Sequence, residues 1–333
     1  MAVTKYNDLF PQLRDYLFYL ETIKGRSPKT VQEYYTDLRT FFRFILVFRS
    51  DDHTPLLDNT AFQKISIANV TLDLIRSITL SDIYEFLHFI SSERSNSATA
   101  RARKTSSIRG LFKYLTVNQK LLDENPALNL EIPSARKVLP KYLTLEQSLE
   151  LLNSVDEDDG KNQQRDYCIL TLFLNCGMRL AELVGINLPD IRDNTLRLLG
   201  KGNKERSIYL NDACLGAISD YLEVRREQHP NPKEPNALFL SRNGKRISRR
   251  RVQQIVENFL NRSGLGQMGY SAHKLRHTAA TLMYQYGEID IRVLKDILGH
   301  ANLGTTEIYT HVSSQQMEHA ADSNPLAKVK NKK

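Results

Sequence analysis

The stretch DENPALNLEIPSARKVLPKYLT, residues 123–144, constrains this chain more than any other. It holds three prolines and three cations and carries no regular apolar period. Proline breaks helices and inner strands, and the composition reads as an extended linker between domains. A chain of 333 residues is long enough to build a core on each side of it. The expected division is a first domain over 1–130, a linker over 131–143, a second domain over 144–318, and a tail over 319–333.

The patterns on the two sides differ. Before the linker, apolar residues recur at helical spacing. SPKTVQEYYTDLRTFFRFIL offers Ser27 as N-cap and Pro28 at the first helical position, with Val31, Tyr34, Leu38, Phe41, Phe42 and Ile45 on one stripe. A polar insert, RSDDHTPLLDNT, interrupts the pattern. Helices follow over 69–78, SDIYEFLHFISS and SATARARKTSSIRGLFKYL. In the last of these, Ile108, Leu111, Phe112 and Leu115 make the buried stripe, and Arg101 and Lys104 are expected on another face.

After the linker, Thr144 and Gln147 form a capping box that opens a helix. Further helices are expected over 165–176, RLAELVG, SRRRVQQIVENFL, SAHKLRHTAATL, DIRVLKDILGH and TTEIYTHV. TLRLLGKGNKERSIYL reads as a two-stranded hairpin, and NALFLSRNGKRIS as a short strand with an Asn243-Gly244 turn. The fold class is therefore mainly α, with a small antiparallel sheet in the second domain.

Hydrophobic residues make up 41% of the chain and charged residues 25%, the balance of a globular protein. No run approaches the ~18 apolar residues of a membrane span, and the N-terminus lacks a signal-peptide core. A cytoplasmic protein with no membrane partner is expected. Cys168, Cys176 and Cys214 show no metal or disulfide spacing and read as small hydrophobes. The formal net charge is +8, and residues 1–140 and 141–333 each hold an excess of four cations. Both halves therefore suit the same polyanion.

The second domain carries several polar islands. In SAHKLRHTAATL, His273 and His277 are four apart and His273 and Arg276 three apart. The first spacing suits zinc, but Lys274 occupies the place where a hydrolytic site carries a glutamate, and no third ligand is evident. CGMRLAELVGI places Arg179 near a helix start, where an ion pair with Glu182 is the simplest alternative role. GKGNKER puts Lys201, Lys204 and Arg206 around a hairpin tip. ILGHANLGTTEIYTHV supplies His300 and, nine residues on, Tyr309.

Two arginines, a lysine, two histidines and a tyrosine, without a carboxylate cluster, suit displacement at a phosphodiester with a phenol as nucleophile. Guanidinium forks bind paired oxygens and neutralise the charge of a phosphorane. A phenol with a pKa of ~10 needs help to lose its proton, and a hairpin lysine suits protonation of the leaving oxygen. No metal and no cofactor is called for.

These motifs, in this order, resemble the tyrosine recombinases of the phage-integrase family, and the Xer type in particular. The resemblance covers most of residues 140–318 and, more loosely, 8–120, where the insert near 49–62 is longer than the family suggests. It implies catalytic roles for Arg179, Lys201, His273, Arg276, His300 and Tyr309, and it alone selects Lys201 over Lys204. It also implies a two-domain clamp on double-stranded DNA bearing a specific site, a tetramer on two duplexes, and a tail that docks on a neighbouring protomer. A paralogous recombinase or a DNA translocase would be further partners. Arg101, Lys104, Lys204, Arg249 and Arg250 are the expected DNA contacts. The rival readings are a transposon or phage integrase of the same chemistry, a type IB topoisomerase, and a non-catalytic DNA-bridging protein. Integrases often carry an extra N-terminal domain, for which this chain leaves no room before its first helices.

Overall fold

The computed structural model describes residues 9–133, 141–156, 160–200, 204–225, 230–231, 233–287, 289–300 and 302–312. They fall into two compact units, Met1–Lys137 and Val138–Lys333.

The described residues of the first unit hold helices and no strand: α1 (Pro11–Phe18), α2 (Pro28–Phe48), α3 (Thr54–Leu57), α4 (Asn59–Lys64), α5 (Leu72–Ser77), α6 (Leu80–Ser92) and α7 (Ala98–Lys113). Ser27 caps α2 by accepting the Thr30 N–H, and Pro28 stands at its first position. Val31, Leu38, Phe41, Phe42 and Ile45 are fully buried, and they meet Ile108, Leu111 and Phe112 of α7, and Leu115 just after it, in one core. The polar insert near residue 50 is not an irregular loop. It folds into α3 and α4, and Phe62 anchors the second of these in the core. The start of the proline-rich stretch is also more ordered than a linker, because Ala127 and Leu130 are buried in the same cluster. Residues 134–140 lie outside the described residues.

The expectation for Lys104 needs correction. Its ammonium is buried and sits 3.0 Å from Asp37 Oδ1, while Arg103 Nη1 lies 2.6 Å from the other oxygen of that carboxylate. Asp37 is wholly buried and also accepts a bond from Ser107. A buried carboxylate must be paired, so Lys104 serves the core and not a solvated face. Arg101 is half-buried and donates to the Asn96 carbonyl at 2.6 Å.

The second unit packs α8 (Leu145–Asp156), α9 (Gln163–Cys176), α10 (Leu180–Gly185), α11 (Asp212–Arg225), α12 (Arg249–Arg262), α13 (Ala272–Tyr286) and α14 (Ile291–Leu298) around a small sheet. Thr144 and Gln147 form the reciprocal bonds of a capping box ahead of α8. The sheet has strands β1 (Ile191–Arg192), β2 (Thr195–Leu199) and β3 (Glu205–Tyr209), antiparallel in sequence order. The hairpin register pairs Leu196 with Ile208 and Leu199 with Glu205. β1 was not visible in the sequence pattern, being only two residues long. The strand expected near 237–240 is reduced to two isolated bridges, Asn187 with Ala237 and Leu240 with Arg246. α9 is buried along most of its length. It contributes Cys168 and Cys176 to a core that also holds Cys214, Leu196, Ile208, Tyr221, Phe239 and Leu275. TTEIYTHV winds as a 3-10 turn, Glu307–Val312, and not as an α-helix.

Candidate active site

The site is built on the C-terminal end of α14. The last carbonyls of a helix have no partner within it and carry the negative end of its dipole. Here three successive carbonyls each receive one arginine. Arg206 Nε donates to Ile297 O at 2.9 Å, Arg276 Nη2 to Leu298 O at 2.8 Å, and Arg179 Nη2 to Gly299 O at 2.9 Å. The three come from β3, α13 and the residue before α10, so one helix end collects three distant segments. Gly299 ends α14 with φ +64°, and a Cβ there would lie 3.0–3.1 Å from the Arg206 side chain. Glycine meets both demands.

Arg276 is buried at 3% exposure, and its other fork nitrogen donates to the Gly177 carbonyl at 2.7 Å. Gly177 ends α9 in the left-handed region at φ +58°, and a Cβ there would lie 2.9 Å from Leu298. Burial, then the charge of Arg179, pulls the Arg276 pKa down to about 10, so it remains a cation at neutral pH.

Glu182 ties the network together. Its side chain is 2% exposed, and it accepts from Arg179 Nη1 and Arg206 Nη1 at 2.8 Å and from Arg206 Nη2 at 2.9 Å. Burial raises the carboxyl, but the Arg206 hydrogen bond, the Arg179 backbone N–H and the two guanidinium charges outweigh it and hold the pKa at about 2. The i,i+3 ion pair to Arg179 exists alongside that arginine's bond to the Gly299 carbonyl. Arg206 stands opposite Leu198, one pair from the hairpin loop, but its side chain turns inward and is only 14% exposed.

Arg179, Arg276, His273 and His300 line one open cavity of about 530 Å³, together with Arg249, Gln253 and Thr305. His300 Nδ1 lies 2.9 Å from Thr306 Oγ1, and burial followed by the charges of Arg276 and Arg179 lowers its pKa to about 4. His273 is exposed and is also lowered, by desolvation, Arg276, Lys274 and Arg179.

Tyr309 is the outlier. Its ring is 1% exposed, packs with Ala280, Leu294 and Leu298, and is not among the residues lining the cavity. Burial raises the phenol to about 12 against the opposing charge of Arg276. Its hydroxyl lies 2.8 Å from His277 Nδ1, a residue that the sequence left without a role. Lys201 lies outside the described residues. Lys204 is exposed, its carbonyl accepting the Gly200 N–H at 2.8 Å. Arg250 is exposed but does not line the cavity. Among the described residues no group of three or more His, Cys, Asp or Glu side chains is arranged to hold a metal.

Two guanidinium groups and two imidazoles at the wall of one cavity suit an anionic ligand such as a phosphate. The chain belongs to the phage integrase family, whose model matches residues 141–316. The tyrosine recombinase XerC of Caldanaerobacter subterraneus subsp. tengcongensis is 50% identical over 317 residues, covering 95% of this chain and 87% of that relative. Tyrosine recombinase XerC of Herpetosiphon aurantiacus is 34% identical over 307 residues, 92% of each chain. The protein is thus a site-specific tyrosine recombinase of the Xer type. Among solved structures, XerH bound to palindromic difH substrate superposes with a TM-score of 0.65 at 21% identity, covering 94% of each chain. The Tn1549 transposon integrase with transposon right end DNA gives 0.70 at 17% identity, over 93% of this chain and 99% of that one. Those two likenesses concern the fold. No helix among the described residues is long and apolar enough to cross a membrane.

Proposed function

We propose that the chain cleaves and rejoins DNA strands at a specific site in double-stranded DNA, with Tyr309 as nucleophile. Its oxygen attacks the scissile phosphorus, the bond to the 5′ oxygen breaks, and a 3′-phosphotyrosyl link forms. Arg179 and Arg276 neutralise the charge on the non-bridging oxygens, His273 and His300 hydrogen-bond to the same phosphate, and Lys201 protonates the leaving oxygen. The hydroxyl of a partner strand then reverses the attack. The energy of the broken bond is kept in the phosphotyrosine, so no nucleotide cofactor is consumed.

The observation that carries this reading is the convergence of Arg179 and Arg276 on consecutive carbonyls at the wall of one cavity. Arginines held by backbone cost no reorganisation when charge develops. Tyr309 stands in a resting position, and on binding its oxygen reaches the phosphate with the hydrogen bond to His277 kept. Two rounds of exchange pass through a Holliday junction made by four protomers on two duplexes, as in the resolution of chromosome or plasmid dimers. Arg249, at the cavity, contacts the backbone of the bound strand, and Arg250, Lys204 and Arg101 add phosphate contacts. The tail over 319–333 docks on a neighbour.

The test is covalent capture on nicked duplexes drawn from genomic fragments. The wild type is expected to form an adduct that resists denaturant, and Tyr309→Phe none. An adduct that persists in Tyr309→Phe removes the assignment of the nucleophile.

A further inference from the structure

His277 is the one histidine of the SAHKLRHTAATL motif that the cavity and the family resemblance both leave aside, yet it touches the reacting atom. Its Nδ1 lies 2.8 Å from the Tyr309 hydroxyl, and its Nε2 lies 3.1 Å from His273 Nε2. The i,i+4 spacing on α13 brings the two rings together, with centroids 4.6 Å apart and planes at 80°. The chain of groups thus runs from a buried phenol, through a half-buried imidazole, to an exposed imidazole at the cavity.

The direction of the hydrogen bonds follows from counting donors. Burial, then His273, Arg276 and Lys274, lowers the His277 pKa to about 4, so the ring is neutral and carries one N–H. With that hydrogen on Nδ1, the Tyr309 hydroxyl would be left to donate to nothing among the described residues. With it on Nε2, the hydroxyl donates to Nδ1, and Nε2–H donates to His273. A buried donor must be satisfied, and the second arrangement is the one that pairs every one of these hydrogens among the described residues.

We propose that His277 is a further catalytic residue, one that takes the phenolic proton of Tyr309 and relays a proton to His273. The inference rests on the recombinase reading above. As the Tyr309 oxygen bonds to phosphorus and the bond to the 5′ oxygen breaks, the phenolic proton passes to His277 Nδ1. The hydrogen on His277 Nε2 passes to His273 Nε2, and His273 is left as an imidazolium at the cavity. The leaving oxygen takes its proton from the separate acid, Lys201. His277 ends with its hydrogen on Nδ1, and rejoining runs both transfers backwards and restores the starting tautomer. With the phenol pushed up to about 12 and His277 down to about 4, the pair is neutral at rest. The proton therefore moves only as the oxygen–phosphorus bond forms.

The experiment measures single-turnover adduct formation by the full chain on a nicked duplex bearing its own crossover site, recovered by sequencing the captured adducts. His277→Ala is expected to slow the step about 100-fold or more. His277→Asn places a carbonyl oxygen near the former Nδ1 and keeps the bond to Tyr309, but it relays no proton, so it should be equally slow. Imidazole in solution should restore part of the His277→Ala rate. Replacing Tyr309 with 3,5-difluorotyrosine, a more acidic phenol, should shrink the defect. A His277→Asn rate equal to wild type, or a His277→Ala defect indifferent to both imidazole and phenol acidity, overturns the relay while adducts at Tyr309 leave the recombinase reading standing. Absence of any wild-type adduct removes both.

Discussion

Glu182→Gln tests the energetics of the arginine network. The substitution keeps the shape of the side chain and removes the charge that faces Arg179 and Arg206 at 2.8–2.9 Å. The carboxyl is held at about 2 against an ordinary 4.5, which corresponds to about 3 kcal/mol of stabilisation at pH 7. Because its side chain is 2% exposed, solvent screening removes little of this. The folded-state value lies below the unfolded one. The stabilisation is therefore complete above about pH 4.5 and is lost as the pH falls toward about 2. By calorimetry, Glu182→Gln should lower the transition of the Val138–Lys333 unit by about 6–12 °C at pH 7. The gap from wild type should narrow to about half as the pH is lowered from 5 to 3. A gap below about 1 kcal/mol at pH 7, or one that stays constant over that range, would refute the assignment of Glu182 as the charge anchor.

Arg206→Lys should cost about 2 kcal/mol and slow strand cleavage at least about tenfold. A single ammonium cannot span both Glu182 oxygens and the Ile297 carbonyl; unchanged unfolding and adduct rates would count against this. Lys104→Ala should destabilise the first unit by about 3 kcal/mol by stranding part of the Asp37 charge, whereas Arg101→Ala should cost under about 1 kcal/mol; denaturant melts separate the two. Site-resolved NMR titration should find the His277 and His300 rings neutral from pH 8 down to about 5, since both are held near 4. Protonation of either between pH 6 and 7 would contradict the burial and charge that lower them.

Much of the helical framework was legible because apolar periodicity and caps are local signals. Ser27, Pro28, Thr144 and Gln147 do in the structure what their types and spacing announce. The polar islands were also legible: Arg179, His273, Arg276 and His300 stand out by residue type, and the fold places them at one cavity. What holds them there was not legible. The partners of the arginines are carbonyls of residues 297–299, and a backbone oxygen has no sequence signature. Arg206 passed for one more hairpin cation, since nothing local points it at Glu182, 24 residues away. Lys104 failed for the same reason. Its partner Asp37 lies 67 positions earlier, and an alternation of Arg and Lys on a helix does not reveal which one turns inward. Tyr309 is legible as a residue but not as a conformation.

The stacked carbonyls of α14 also make the site all-or-none. Adjacent residues of a helix are offset by 100° and ~1.5 Å, so adding or deleting a single residue in Ile291–Leu298 would re-aim all three acceptors at once. Each of three guanidinium groups would then lose one mooring at the same time, leaving Arg179 and Arg206 on Glu182 and Arg276 on the Gly177 carbonyl. The family's chemistry in this chain is therefore indexed to the length of one eight-residue helix, and length there should tolerate less change than composition.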